Sequence, residues 1–237
     1  TAFGTLLTPI SGALGSPHRF VRDAASRIIS RMPSASVLAL SKILNDKQPR
    51  GQVSFACGVV RRKGRFNAPA VTIGADVVEG DHPAELKHDA IRLMQIALGN
   101  VGPGSKAAPA FDGYTPRIDL SKHERLLDPI RIRMTKAYPT GNATVDYELA
   151  RLLAMLSPLN PELLDRVLER IDEKSNPLHD IHHLIVAARI PIERSTRQTD
   201  AISRALVQLE PKIRASGLNL DSNWTPRVSE ILKVLVK

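Results

Sequence analysis

The stretch richest in reactive side chains is His179-Asp180-Ile181-His182-His183. His179 and His183 stand four apart, so a helix puts both imidazoles on one face, where they could share a metal ion. The spacing mimics the H-E-x-x-H motif with Asp180 in the glutamate's place. Aspartate is one methylene short of the usual general base, and no third ligand is evident. The plainer reading is a helix with a polar ridge whose histidines have structural or capping roles.

Basic clusters form a second group: Arg61, Arg62, Lys63 and Arg65, and separately Arg131, Arg133 and Lys136. Phosphate contacts need little more than such charges. The positive residues are scattered, however, and aromatics for stacking bases are few. A solvated face, an acidic protein partner and nucleic acid are the three readings. Phe111 and Tyr114 lie near the tip of a Pro/Gly-rich stretch, where they serve either as contact residues for a partner or as pins that hold the loop down. Trp224 either fills a core or offers an exposed anchor. Glu162, Asp165 and Glu169 alternate with Arg166 and Arg170 at helical spacing and read as solvated decoration. The single cysteine, Cys57, excludes an internal disulfide, a multi-cysteine zinc site and a C-x-x-C-H haem site in this sequence. Gly99-Asn-Val-Gly-Pro-Gly lacks the Lys-Ser/Thr of a phosphate-binding loop.

The elements that must carry these groups read as helices. Apolar residues make up 43% of the 237 positions and aromatics only 4%, so Leu, Ile, Val and Ala must build the core. The net charge of +9 permits an acidic partner, nucleic acid or an anionic surface. No run of about 18 apolar residues is present, so no transmembrane segment is expected. The chain begins without methionine, in helix-like sequence, and we expect it to be a fragment of a longer protein.

The organising stretch is Ser16 to Arg31. Ser16 is placed to cap a helix and Pro17 to open it. Phe20, Val21, Ala24, Ala25, Ile28 and Ile29 recur at steps of three and four as one wide apolar stripe. Similar patterns predict helices over residues 3–14, 17–31, 34–44, 52–62 and 83–98. After the break they are predicted from 121 with the capping-box pair Ser121/Glu124, and over 144–156, 161–171, 177–189, 195–215 and 224–236. Residues 68–78 are β-branched and ambiguous, with helix favoured over strand. The break itself, residues 100–117, is rich in Pro and Gly and divides the chain into segments 1–99 and 118–237. The second helices of successive pairs begin near Phe20, Phe55, Ala90, Tyr147, Ile181 and Val228, a spacing close to helical-repeat periods of about 33–47 residues.

Pro17, Val21-Arg22 and Ala24-Ala25 resemble the HEAT-repeat signature. A closer resemblance is carried by Pro17-His-Arg-Phe-Val-Arg-Asp-Ala-Ala-Ser-Arg27. It is carried also by the Gly141-Asn142 turn and by Asp146-Tyr-Glu-Leu-Ala-Arg-Leu-Leu-Ala-Met-Leu156 through Asp180-Ile-His-His-Leu-Ile-Val-Ala-Ala-Arg189 to Gly217-Leu-Asn-Leu-Asp-Ser-Asn-Trp224. These stretches resemble the HEAT region of large planctomycete-type haem-binding or membrane-bound dehydrogenase-like proteins. Such proteins join a β-propeller, a HEAT region and a c-type cytochrome domain, and are secreted or envelope-associated. The resemblance implies that this chain is the connecting HEAT part, without a catalytic residue or cofactor of its own, any haem lying elsewhere in the full-length protein. It also implies a periplasmic or envelope-associated location.

The expectation is therefore all-α: a HEAT-like α-α superhelix, a solenoid of about six helix pairs. It is expected to act as a scaffold for protein modules of the same or another chain, with Arg61, Arg62, Arg65, Phe111 and Tyr114 as candidate partner contacts. The alternative is a nucleic-acid-binding HEAT-like protein with a basic groove of the DNA-glycosylase type. A metal site at His179 and His183 is the third reading.

Overall fold

The computed structural model describes residues 5–44, 48–63, 66–99 and 109–236. Among these residues every regular element is helical, twelve α-helices and two short 3-10 turns, with no strand. None of the helices is long and apolar enough to cross a membrane. The chain divides into two compact units, Thr1–Gly99 and Asn100–Lys237.

The first unit holds α1 (Leu7–Leu14), α2 (Arg19–Arg31), α3 (Ser34–Ile43), α4 (Pro49–Lys63), α5 (Ala68–Glu79) and α6 (Ala84–Ala97). Ile10, Leu14, Ala25, Ile29, Met32, Leu40 and Leu44 form a core from α1, α2, α3 and the residues just after them. Helix α2 lies against α4, and small residues allow a close approach. A Cβ on Gly58 would sit 2.7 Å from the Ser26 carbonyl oxygen and 2.8 Å from Ile29 Cβ. Ser26 is buried in this contact because its hydroxyl donates to the Ser54 carbonyl at 2.6 Å. Arg22 on α2 reaches Asp89 on α6 at 3.2 Å.

The β-branched stretch at 68–78 is helical. Asn67 accepts a hydrogen bond from the Ala70 N–H, and Pro69 occupies the first turn, two start signals that outweigh strand propensity. Its buried residues fall at 70/71, 74/75 and 77/78, the helical period. The start of α2 differs from expectation. The helix begins at Arg19, its cap position is His18, and neither Ser16 nor Pro17 lies within it. The Ser16 hydroxyl instead accepts from the His18 N–H at 3.1 Å, and Arg22 donates to the Ser16 and Pro17 carbonyls. The expected stripe is also only partly buried. Ala25, Ser26 and Ile29 face inward, while Phe20 is 87% exposed and Val21 and Ile28 lie outside the core.

The second unit holds α7 (Glu124–Ala137), α8 (Ala143–Leu156), α9 (Pro161–Leu168), α10 (Pro177–Arg189), α11 (Thr196–Ala215) and α12 (Trp224–Leu235). Its starts are strongly marked. Asn142, Asn160 and Asn176 each cap a helix with a side-chain oxygen, and Ser195 and Gln198 form a reciprocal capping box. Pro129 and Pro211 lie inside continuous helices. Helix α8 is almost entirely buried from Leu149 to Leu156. It packs on α7 and α10; α10 packs also on α9, α11 and α12; and α9 packs on α11.

Candidate interaction groove and the polar clusters of the second unit

Asn176 starts α10 with its side chain on the Leu178 N–H, and this register decides where the three histidines point. His179 is exposed, His183 is half-buried, and His182 is 1% exposed. The His182 ring stacks on Tyr147 of α8 with centroids 3.7 Å apart, and its Nδ1 shares a 2.8 Å hydrogen bond with the Tyr114 hydroxyl. The Arg151 guanidinium lies 5.0 Å from the Tyr114 ring centroid, a cation–π contact. Burial, reinforced by His183 and Arg151, pushes the His182 pKa down to about 2. Burial pushes His183 down to about 4. Burial also raises the Tyr114 phenol well above its ordinary range. The arrangement is a neutral aromatic–imidazole stack in the interior.

Asp180 is also 1% exposed. Its carboxylate accepts from the Lys212 ammonium of α11 and from the Ser175 hydroxyl at 2.6 Å. Lys212 donates further to Ser175 Oγ at 2.8 Å and to the Asp172 carbonyl at 2.7 Å. This buried, fully partnered pair ties α10 to α11, and the carboxylate is closed to a water nucleophile. Among the described residues no group of three or more His, Cys, Asp or Glu is placed to hold a metal ion.

Phe111 and Tyr114 are both buried. Phe111 ends the 3-10 turn Pro109–Phe111, which rests on α12, where the Ala110 N–H donates to Glu230 at 2.9 Å. As partner contacts these two residues are corrected: their side chains fill the second unit and pin residues 109–115 to it. In the first unit Arg61 pairs with Asp23 at 3.0 Å, and Asp23 also holds Arg27. Those two guanidiniums hold the Asp23 carboxyl below the usual range, against the opposing effect of burial. Arg62 donates to the Ile29 and Met32 carbonyls and to Ser34 Oγ, closing the C-terminal end of α2. Arg65 lies outside the described residues. Cys57 is largely buried, and desolvation pushes its thiol up to about 11, away from reactivity.

Trp224 is half-buried in an apolar groove with Leu178, Leu209, Ile213 and Ile231. A larger groove, about 1110 Å³, opens between α7, the α8–α9 turn and α9. Ser157, at φ 50°, ends α8 in the left-handed conformation and turns the chain along the groove wall. Ile132 (71% exposed) and Leu159 (77% exposed) line it, as do Glu124, Asp128, Arg131 and Glu162. The sequence pattern did not single this groove out. Its one visible signal is Ile132, an apolar residue between Arg131 and Arg133.

No family model, curated protein or solved structure matches the chain.

Proposed function

We propose that this chain is a non-catalytic scaffold, a HEAT-like stack of helix pairs that holds or docks protein modules. The observation that carries the reading is the order of packing. In the first unit α2 lies on α4, α4 on α6, and α1 on α3; in the second, α8 lies on α10, α10 on α12, and α9 on α11. These second-on-second and first-on-first contacts, which stand beside contacts of α1 with α4 and of α4 with α5, are of the kind by which stacked helix pairs bury a continuous core. The fate of the reactive side chains supports it too. His182, Asp180, Arg61, Arg62 and Tyr114 are all engaged by their own unit.

The resemblance of residues 17–27 and 146–224 supports the reading that such a scaffold belongs to a larger secreted or envelope-associated haem-binding or dehydrogenase-like protein. Cross-linking mass spectrometry of the protein from its native source tests the scaffold role. Links from exposed Lys136 or Lys174 to peptides outside this sequence are expected. Links confined to the 237 residues contradict it.

The nucleic-acid reading draws on one observation. The first unit carries thirteen Lys and Arg against seven Asp and Glu. Several of those charges are already paired, Arg22, Arg27 and Arg61 among them. Duplex DNA binding that weakens about a thousandfold or more between 50 and 200 mM salt would establish that reading; weak, nearly salt-independent binding would remove it.

A further inference from the structure

We infer that the groove between α7 and α9 is a docking site for a basic amphipathic segment of a partner protein. The inference deepens the scaffold reading and rests on it. Its walls combine two exposed apolar side chains, Ile132 and Leu159, with charges of unequal accessibility. The acids stand out: the Glu124 side chain is 45% exposed, Asp128 62%, and Glu162 is exposed without an ion pair among the described residues. The bases are withdrawn. Arg131 is 15% exposed, donates to the Leu156 carbonyl at 2.8 Å, and is held by Glu124 and Asp128. The Glu124 hydrogen bond raises its pKa above the ordinary arginine value, against desolvation. Arg166 donates to the Tyr138 carbonyl. Lys136 is the exposed exception.

A partner therefore meets apolar surface rimmed by carboxylates, in a protein whose net charge is +9. The wall also holds Thr135, 6% exposed, whose hydroxyl has no hydrogen-bond partner among the described residues. An apolar ridge with basic flanks describes the occupant. A segment of that kind is recognised through anchors at i, i+3 or i+4 and i+7.

The probe is a labelled synthetic helical peptide of about 18 residues with a leucine ridge and lysine flanks, beside the same peptide with glutamate for every lysine. Anisotropy titrations use the full 237-residue chain. The lysine peptide should bind about tenfold tighter than the glutamate peptide, against the overall charge of the protein. Ile132→Ser with Leu159→Ser, both at exposed positions, should abolish that binding while circular dichroism stays unchanged. Glu162→Lys should weaken it several-fold. Equal binding of the two peptides, or binding indifferent to these substitutions, overturns the inference. So does a molecular mass that rises with concentration and is restored to monomer by the Ile132/Leu159 variant, because the groove would then seat a second copy. Failure here leaves the scaffold reading standing, since that reading is tested on the native assembly.

Discussion

Acidification from pH 7 to pH 5 should weaken the second unit through His182. In the unfolded chain this imidazole takes a proton as pH falls below its ordinary value of 6.5. In the folded unit, burial together with His183 and Arg151 keeps it neutral down to about pH 2, packed between Tyr114 and Tyr147. The unfolded state then binds more protons than the folded one, so stability is complete above pH 6.5 and is lost as pH falls below it. At pH 5 the unfolded group lies 1.5 units below its midpoint, and at about 1.4 kcal/mol per unit the loss is about 2 kcal/mol. His183, half-buried beside His179 and Asp180 and pushed down to about 4, adds a loss of the same sign, because pH 5 lies between its unfolded and folded values.

Urea denaturation followed by fluorescence reads this unit directly, because the single tryptophan, Trp224, lies in it. The wild-type midpoint should drop between pH 7 and pH 5. In His182→Phe the drop should shrink by about 2 kcal/mol, whatever the variant does to absolute stability. An unchanged midpoint in the wild type, or equal drops in both proteins, would refute the buried neutral imidazole.

Four further outcomes follow from the packing. Tyr114→Phe should cost about 1–3 kcal/mol in urea denaturation, because it leaves a ring nitrogen of buried His182 without its partner; a neutral result would show that residues 109–115 are not pinned there. Gly58→Ala, at a helical position where alanine normally helps, should instead destabilise the first unit by about 1–3 kcal/mol by thermal melting, since its Cβ meets the backbone of α2 at 2.7 Å. Leu14→Ala, fully buried, should cost about 2–5 kcal/mol. Phe20→Ser, on the exposed side of α2, should stay within about 0.5 kcal/mol of wild type.

Most helix positions were legible because their starts carry local chemistry. Asn160 with Pro161 and Asn176 with Pro177 mark α9 and α10 without reference to the rest of the chain. The faces were harder. On α2 six apolar residues cover too much of the circumference to point one way, and the close approach of Gly58 selects Ala25, Ser26 and Ile29 as the inner side. Ser26 reads as a surface residue until its partner carbonyl on Ser54 is known. The histidine cluster was visible as composition but not as geometry. The i,i+4 pair His179/His183 drew attention to a metal, whereas the middle histidine, His182, is the one buried. Its partner Tyr114 lies 68 residues away in a stretch without periodicity. Local pattern carries no information about such a long-range pair. The same holds for the Asp180–Lys212 bridge between α10 and α11.

The proposed role of this helical chain is that of a scaffold within a larger haem-binding or dehydrogenase-like protein. The most direct measurement is the intact mass and visible spectrum of the protein purified from its native source. A mass far above that of 237 residues, with a haem Soret band, is the predicted result. A mass matching 237 residues, without a chromophore, would contradict it.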